Sequence, residues 1–153
     1  MNIYVKNLSK KFNNYVAVNN INFFLNKNKT LGILGPNGCG KTTSIGMMLG
    51  LITPSSGEVF INDQDVNKAN RNDLLSKMNF ASPYIELPKK LTVKQNLEIY
   101  GRLYGVKNLK DRVSEISEDL DLINFLNKKT GELSSGQKNR VSLAKSLINK
   151  PEV

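Results

Sequence analysis

The chain has 153 residues, 39% hydrophobic and 23% charged, a balance typical of globular domains that excludes a disordered polymer. A chain of this length buries roughly 70% of the surface its unfolded form exposes, enough for a core without disulfides, and its one cysteine, Cys39, excludes an internal disulfide. The charge of +9 favours anionic partners, and the absence of histidine excludes histidine general-base or metal-ligand chemistry by these residues alone.

The longest mostly apolar run, Ile45 to Ile52, falls well short of the roughly 20 residues a membrane helix needs. The first residues, Met1-Asn2-Ile3-Tyr4-Val5-Lys6, have neither the basic nor the apolar region of a secretory signal. With a lone cysteine, a reducing cytoplasmic compartment is the expectation. The lysines are scattered through turns and helix faces, which fits a solvated basic surface and leaves nucleic acid, nucleotide and membrane surfaces open as partners.

Taken in order, Ile3-Tyr4-Val5, Val16-Ala17-Val18, Ile21 to Leu25 and Thr30 to Leu34 read as strands, the last of buried type, separated by Asn13-Asn14 and Asn26 to Lys29. From Lys41 to Ile52, Ile45, Met48, Leu49 and Ile52 repeat with a helical period and predict one apolar face. Thr53 to Gly57 reads as a turn, and Glu58 to Ile61 and Met78 to Ala81 as further strands. Thr92 with Gln95 reads as a capping box opening a helix whose face is Val93, Leu97, Tyr100 and Tyr104. Val113, Ile116 and Leu120 mark a second helix. Ser134 with Gln137 opens a third, with Val141, Ala144, Leu147 and Ile148 on its face. The chain therefore divides into an α/β part at about 1–82, a helical part at about 83–149, and a short segment 150–153 where a further strand would begin.

The run Gly35-Pro36-Asn37-Gly38-Cys39-Gly40-Lys41-Thr42 fits G-x-x-x-x-G-K-[ST] between a strand reading and a helix reading. Glycines at 35, 38 and 40 permit positive φ and close approach to phosphate oxygens, so that successive N–H groups form an anion nest. The helix start adds its positive end, Lys41 a mobile point charge for β- and γ-phosphates, and the Thr42 hydroxyl a ligand for Mg²⁺, with Thr43 beside the α-phosphate. Cys39 lies in the nest, where a thiolate is favoured; a small filler of the same slot is the plainer reading.

Leu133-Ser134-Ser135-Gly136-Gln137, followed by Lys138-Asn139-Arg140-Val141-Ser142-Leu143-Ala144, resembles the LSGGQ signature of ATP-binding cassette (ABC) ATPases. Paired with the phosphate loop, it extends the resemblance across residues 1–153, about the first two thirds of one nucleotide-binding domain. The resemblance implies a P-loop NTPase fold with an N-terminal antiparallel part and a helical subdomain, with ATP and Mg²⁺ as cofactors. It also implies that Phe12 stacks on adenine, with Tyr15 as the nearby competitor, and that Ser134, Ser135, Gly136 and Gln137 cap the ATP of a second, head-to-tail domain. Transmembrane permease subunits are the further partners, contacted near Tyr84 to Leu91, and the chain is placed at the cytoplasmic face of the membrane. No nucleic acid enters this leading expectation.

Two departures stand out. Where the family carries a metal-contacting glutamine, this chain has Ser82 or Pro83, so a weak Mg²⁺ contact falls to the Ser82 hydroxyl. The family's strand-ending aspartate, its neighbouring glutamate and a later histidine follow the position reached by Val153. The expectation is ATP binding without turnover by these residues alone, low stability and exposed apolar edges. The overall function implied is the ATP-binding subunit of an ABC transporter. The alternatives are a soluble ABC ATPase acting on ribosomes or DNA, and a non-catalytic nucleotide-binding remnant.

Overall fold

The computed structural model describes residues 2–68, 71–82 and 86–152. Two compact units result, one ending at Leu75 and the other beginning at Ser76.

The first unit is built on a four-stranded antiparallel sheet in the order β2-β1-β3-β4, from β1 Ile3–Phe12, β2 Tyr15–Leu25, β3 Ser56–Ile61 and β4 Gln64–Asp65. The separate strand readings at 16–18 and 21–25 are one continuous strand, and the reading at 3–5 extends through Phe12. Alternation is broken on purpose. Ile3 and Val5 are buried, but the next buried residue is Leu8, because Asn7 adopts φ 49 and shifts the register against both neighbouring strands. The Asn22 side chain fixes this bulge by accepting the Asn7 N–H at 2.7 Å. Asn62 and Asp63, both at positive φ, form the two-residue turn between β3 and β4.

Helix α1 (Lys41–Met48) is shorter than the apolar period predicts, and it buries Ser44, Gly46 and Met47 rather than the face through Ile45, Met48 and Leu49. Gly46 explains the difference. The chain folds back after Met48, with the N–H groups of Leu51 and Ile52 both donating to the Gly46 carbonyl. Ile52 then covers Gly46 so closely that a Cβ there would lie 2.7 Å from Ile52 Cδ1.

Two strand expectations are corrected. Thr30 to Leu34 forms no strand, with Leu34 93% exposed, because a buried-type strand needs neighbours on both edges and no described residue supplies one. Met78 to Ala81 likewise forms no strand, although Met78 itself is buried.

The short helix α2 (Arg71–Ser76) leads into the second unit, which packs α3 (Val93–Leu103), α4 (Leu109–Asp119) and α5 (Ser135–Leu147) around one core. Val93, Leu97, Val113, Ile116, Val141, Ala144 and Ile148 are buried there as their periodicity predicts. Tyr104 and Leu147 instead lie at the surface; the Lys145 ammonium stands 5.1 Å from the Tyr100 ring centre and 5.6 Å from that of Tyr104. Arg112 ties α4 to the end of α5, donating to the carbonyls of Leu147 at 2.6 Å and Ile148 at 3.0 Å. Among the described residues, no helix is long and apolar enough to cross a membrane.

Both capping boxes form. Thr92 Oγ1 accepts the Gln95 N–H at 3.1 Å and Gln95 Oε1 accepts the Thr92 N–H at 2.9 Å. Replacing Thr92→Ala is expected to lower unfolding free energy by about 1 kcal/mol in urea titrations, with the denaturant slope unchanged.

Candidate nucleotide-binding site

The loop from Gly35 to Gly40 delivers the chain to α1, and two of its glycines lie well inside the left-handed region: Gly38 at φ 83 and Gly40 at φ 93. At Gly40 the surroundings add a second demand. A Cβ there would lie 2.2 Å from the Ala17 carbonyl oxygen and 3.1 Å from Val18 Cγ2, so the loop backbone presses directly on β2. A Cβ at Gly35 would meet the Cys39 sulfur at 2.6 Å. Around Gly38 no atom lies within 4 Å of the Cβ position, and conformation alone calls for glycine.

The first bond of the helical ladder runs from the Ser44 N–H to the Gly40 carbonyl at 2.8 Å. The N–H groups of Lys41, Thr42 and Thr43 precede it and have no helical acceptor. Gly40, as the N-cap, has no side chain to offer them, and α1 has no acidic residue in its first turn. Three of the loop carbonyls, by contrast, are occupied. Lys41 Nζ donates to those of Gly35 at 2.6 Å and Pro36 at 2.7 Å, and the Tyr15 hydroxyl donates to that of Gly38 at 3.2 Å. What remains is a cluster of donors with an ammonium group at a helix's positive end, which suits an anion. Pro36, Asn37, Cys39 and Thr42 are exposed, and Thr43 is half-buried.

Phe12 closes β1 opposite Tyr15, half exposed, with the Lys10 ammonium 5.0 Å from its ring centre. It therefore sits at the same end of the hairpin as the loop-bonded Tyr15. The bond from Tyr15 to the loop is a feature sequence reasoning missed. Tyr15 and Gly38 are 23 positions apart, and no residue pattern links them.

In the second unit, Ser134 caps α5. Its Oγ accepts the Gln137 N–H at 3.3 Å, while Gln137 Oε1 accepts the Ser134 N–H at 3.0 Å. The ladder starts with Lys138 N–H to the Ser134 carbonyl, which leaves the N–H groups of Ser135 and Gly136 without helical acceptors. Leu133, buried beneath, anchors this turn in the core. Ser82 and Ser135 line a cavity of about 300 Å³ together with Glu86, Lys89 and Lys138. A hydrogen bond from Lys89, followed by the charges of Lys89 and Lys138, holds the Glu86 carboxyl below the usual carboxylate range. Pro83, Tyr84 and Ile85 lie outside the described residues, so the segment Tyr84 to Leu91, expected to contact a membrane partner, is described only from Glu86. Among the described residues, no cluster of three or more acidic, Cys or His side chains offers a preformed metal site.

A profile of the ABC transporter family matches residues 18–153, taking in both the phosphate loop and the segment at 133–144. The chain belongs to the ABC transporter family. It is 33% identical over 153 residues to the probable multidrug ABC transporter ATP-binding protein YbhF of Escherichia coli K12, covering 99% of this chain and 26% of that protein. It is 37% identical over 147 residues to the zinc import ATP-binding protein ZnuC of Rickettsia bellii, covering 96% of this chain and 58% of ZnuC. The chain thus spans only part of these ABC proteins. Among solved structures, the ATP-binding cassette MJ0796, in a dimeric post-hydrolysis state bound to ADP and Pi, aligns with a TM-score of 0.80 at 28% identity over 97% of this chain and 70% of that one. The ABC-type P-loop NTPase fold expected from the sequence is the fold adopted.

Cys39, exposed in the loop, reports on this ABC site chemically. Iodoacetamide is expected to label Cys39, and saturating Mg·ATP to slow the labelling at least tenfold, followed by mass spectrometry; equal rates would place the phosphates elsewhere.

Proposed function

We propose that the chain is the ATP-binding part of an ABC transporter nucleotide-binding domain and that it holds the triphosphate of Mg·ATP on the N–H groups of Lys41, Thr42 and Thr43. The observation that carries this reading is the set of backbone donors without helical acceptors at the start of α1, with the Gly35, Pro36 and Gly38 carbonyls engaged by Lys41 and Tyr15. The residues fit the group. Lys41 needs only to swing from the Gly35 and Pro36 carbonyls to bring its ammonium to the phosphates, and the exposed Thr42 hydroxyl is free to ligate Mg²⁺, which supplies charge neutralisation when bound. Gly35, Pro36, Asn37, Gly38, Cys39 and Gly40 shape the cradle, and Phe12 stacks on the adenine.

Ser134, Ser135, Gly136 and Gln137 serve a different ATP molecule, held by a second nucleotide-binding domain packed head to tail. Gly136 supports this. A glycine in a helix costs roughly 0.5–1 kcal/mol relative to alanine, yet nothing within 4 Å of its Cβ position gives it a packing role in its own chain. Its own free N–H, that of Ser135 and its missing side chain suit close approach by a phosphate from outside. Permease subunits in the membrane are the remaining partners, which places the domain on the cytoplasmic face. Residues 1–82 carry the phosphate loop and 83–149 the helical signature part.

Lys41 and the loop bind and orient the phosphates but do not polarise water, and the family's aspartate, glutamate and histidine for that task are not among these residues. The 153 residues therefore bind Mg·ATP without turning it over. Calorimetry should give measurable binding that falls at least tenfold in Lys41→Ala, with no Lys41-dependent phosphate release. Absence of wild-type binding would overturn the reading of the site, and steady Lys41-dependent release would overturn the assignment of binding without turnover.

A further inference from the structure

We propose that Tyr15 is a positioning residue for the phosphate loop and acts through its hydroxyl; this rests on the reading of the loop as a nucleotide phosphate site. The loop is gripped at three places. Lys41 holds the Gly35 and Pro36 carbonyls in its first half, and the Ala17 carbonyl of β2 abuts Gly40 at its end. Between these points lies the peptide joining Gly38 to Cys39, and the Tyr15 hydroxyl, 3.2 Å from the Gly38 carbonyl oxygen, is the side-chain group that holds it.

That peptide needs a restraint more than its neighbours do. Gly38, at φ 83, borders it on one side, and a glycine rotates with little steric resistance. No atom near the Cβ position of Gly38 blocks such a rotation. On the far side, the Cys39 N–H reaches the Pro36 carbonyl at 3.4 Å, a long bond like that from the Tyr15 hydroxyl, so this peptide rests on two long contacts and loses half of them without Tyr15. In a trans peptide the carbonyl and the N–H point in opposite directions, so fixing the Gly38 carbonyl toward β2 fixes the direction of the Cys39 N–H and the entry to the donor array.

Tyr15 is well placed for this because it shares a strand with Ala17. Two residues apart on β2, they meet the loop at neighbouring points, one through a side-chain hydroxyl and the other through its backbone carbonyl. Tyr15 is 61% exposed, so burial does not explain its position, whereas the hydroxyl contact does. The tether stiffens the free loop and so reduces the ordering that phosphate binding must otherwise impose.

The deciding experiment compares wild type with Tyr15→Phe, which removes only the hydroxyl, for binding of Mg·ATP and of Mg·tripolyphosphate, a ligand with no base or ribose. Tyr15→Phe is expected to weaken both ligands by the same factor, about three- to tenfold, the size of one lost net hydrogen bond. The urea midpoint should stay unchanged, and Cys39 alkylation in the free protein should accelerate as the loop loosens. Unchanged affinity for both ligands would overturn the proposal. So would weakening of Mg·ATP alone, which would make Tyr15 a base-side contact. Wild-type protein that binds neither ligand would instead overturn the phosphate-site reading, and this inference with it.

Discussion

Between β2 and the start of α1 there is room for a backbone and none for a side chain, since a Cβ at Gly40 would fall 2.2 Å from the Ala17 carbonyl oxygen. The rest of the site depends on this contact. It seats the first turn of α1 against the hairpin, so the direction in which Lys41, Thr42 and Thr43 present their N–H groups is set by a strand and not by the loop's own preferences. The hairpin is in turn held in register by asparagines in left-handed conformations, Asn7 and Asn20, whose bulges let Leu8 and Val18 reach the core. Sheet irregularity and loop geometry are therefore linked through β2.

Two helix starts in this chain solve the same problem in opposite ways. Every α-helix begins with N–H groups that lack partners. At α5, Ser134 and Gln137 satisfy two of them with a reciprocal cap and leave those of Ser135 and Gly136. At α1 the capping residue is glycine, so the whole first turn keeps its donors, and Lys41 adds a charge beside them. The difference fits the division of labour in the proposed function: α1 holds a triphosphate within its own domain, and α5 offers a smaller donor set to a phosphate brought by another.

Both motifs were legible because each depends on local residue types at fixed spacing. The capping boxes at Thr92 and Ser134 formed for the same reason, and the core of the second unit follows the helical period through Val93, Leu97, Val113, Ile116, Val141 and Ile148. The misses share a different cause. Thr30 to Leu34 carries the apolar content of a buried strand, but hydrophobicity states a need for neighbours without supplying them, and the segment lies exposed. At α1 the periodicity rule counts Ile45, Met48 and Leu49 but gives no weight to Ser44 and Gly46, and the absence of a side chain at Gly46 is what lets Ile52 fold back. The tie from Tyr15 to Gly38 spans 23 positions between residue types with no shared pattern, and only the fold brings them together.

The central claim is that the backbone donors at the start of α1 receive the phosphates. The most direct measurement is the backbone amide spectrum of isotopically labelled protein, titrated with Mg·ATP. The account predicts the largest shifts and the greatest slowing of hydrogen exchange at Lys41, Thr42 and Thr43, with Gly40 close behind. Binding that left these amides unperturbed would contradict it.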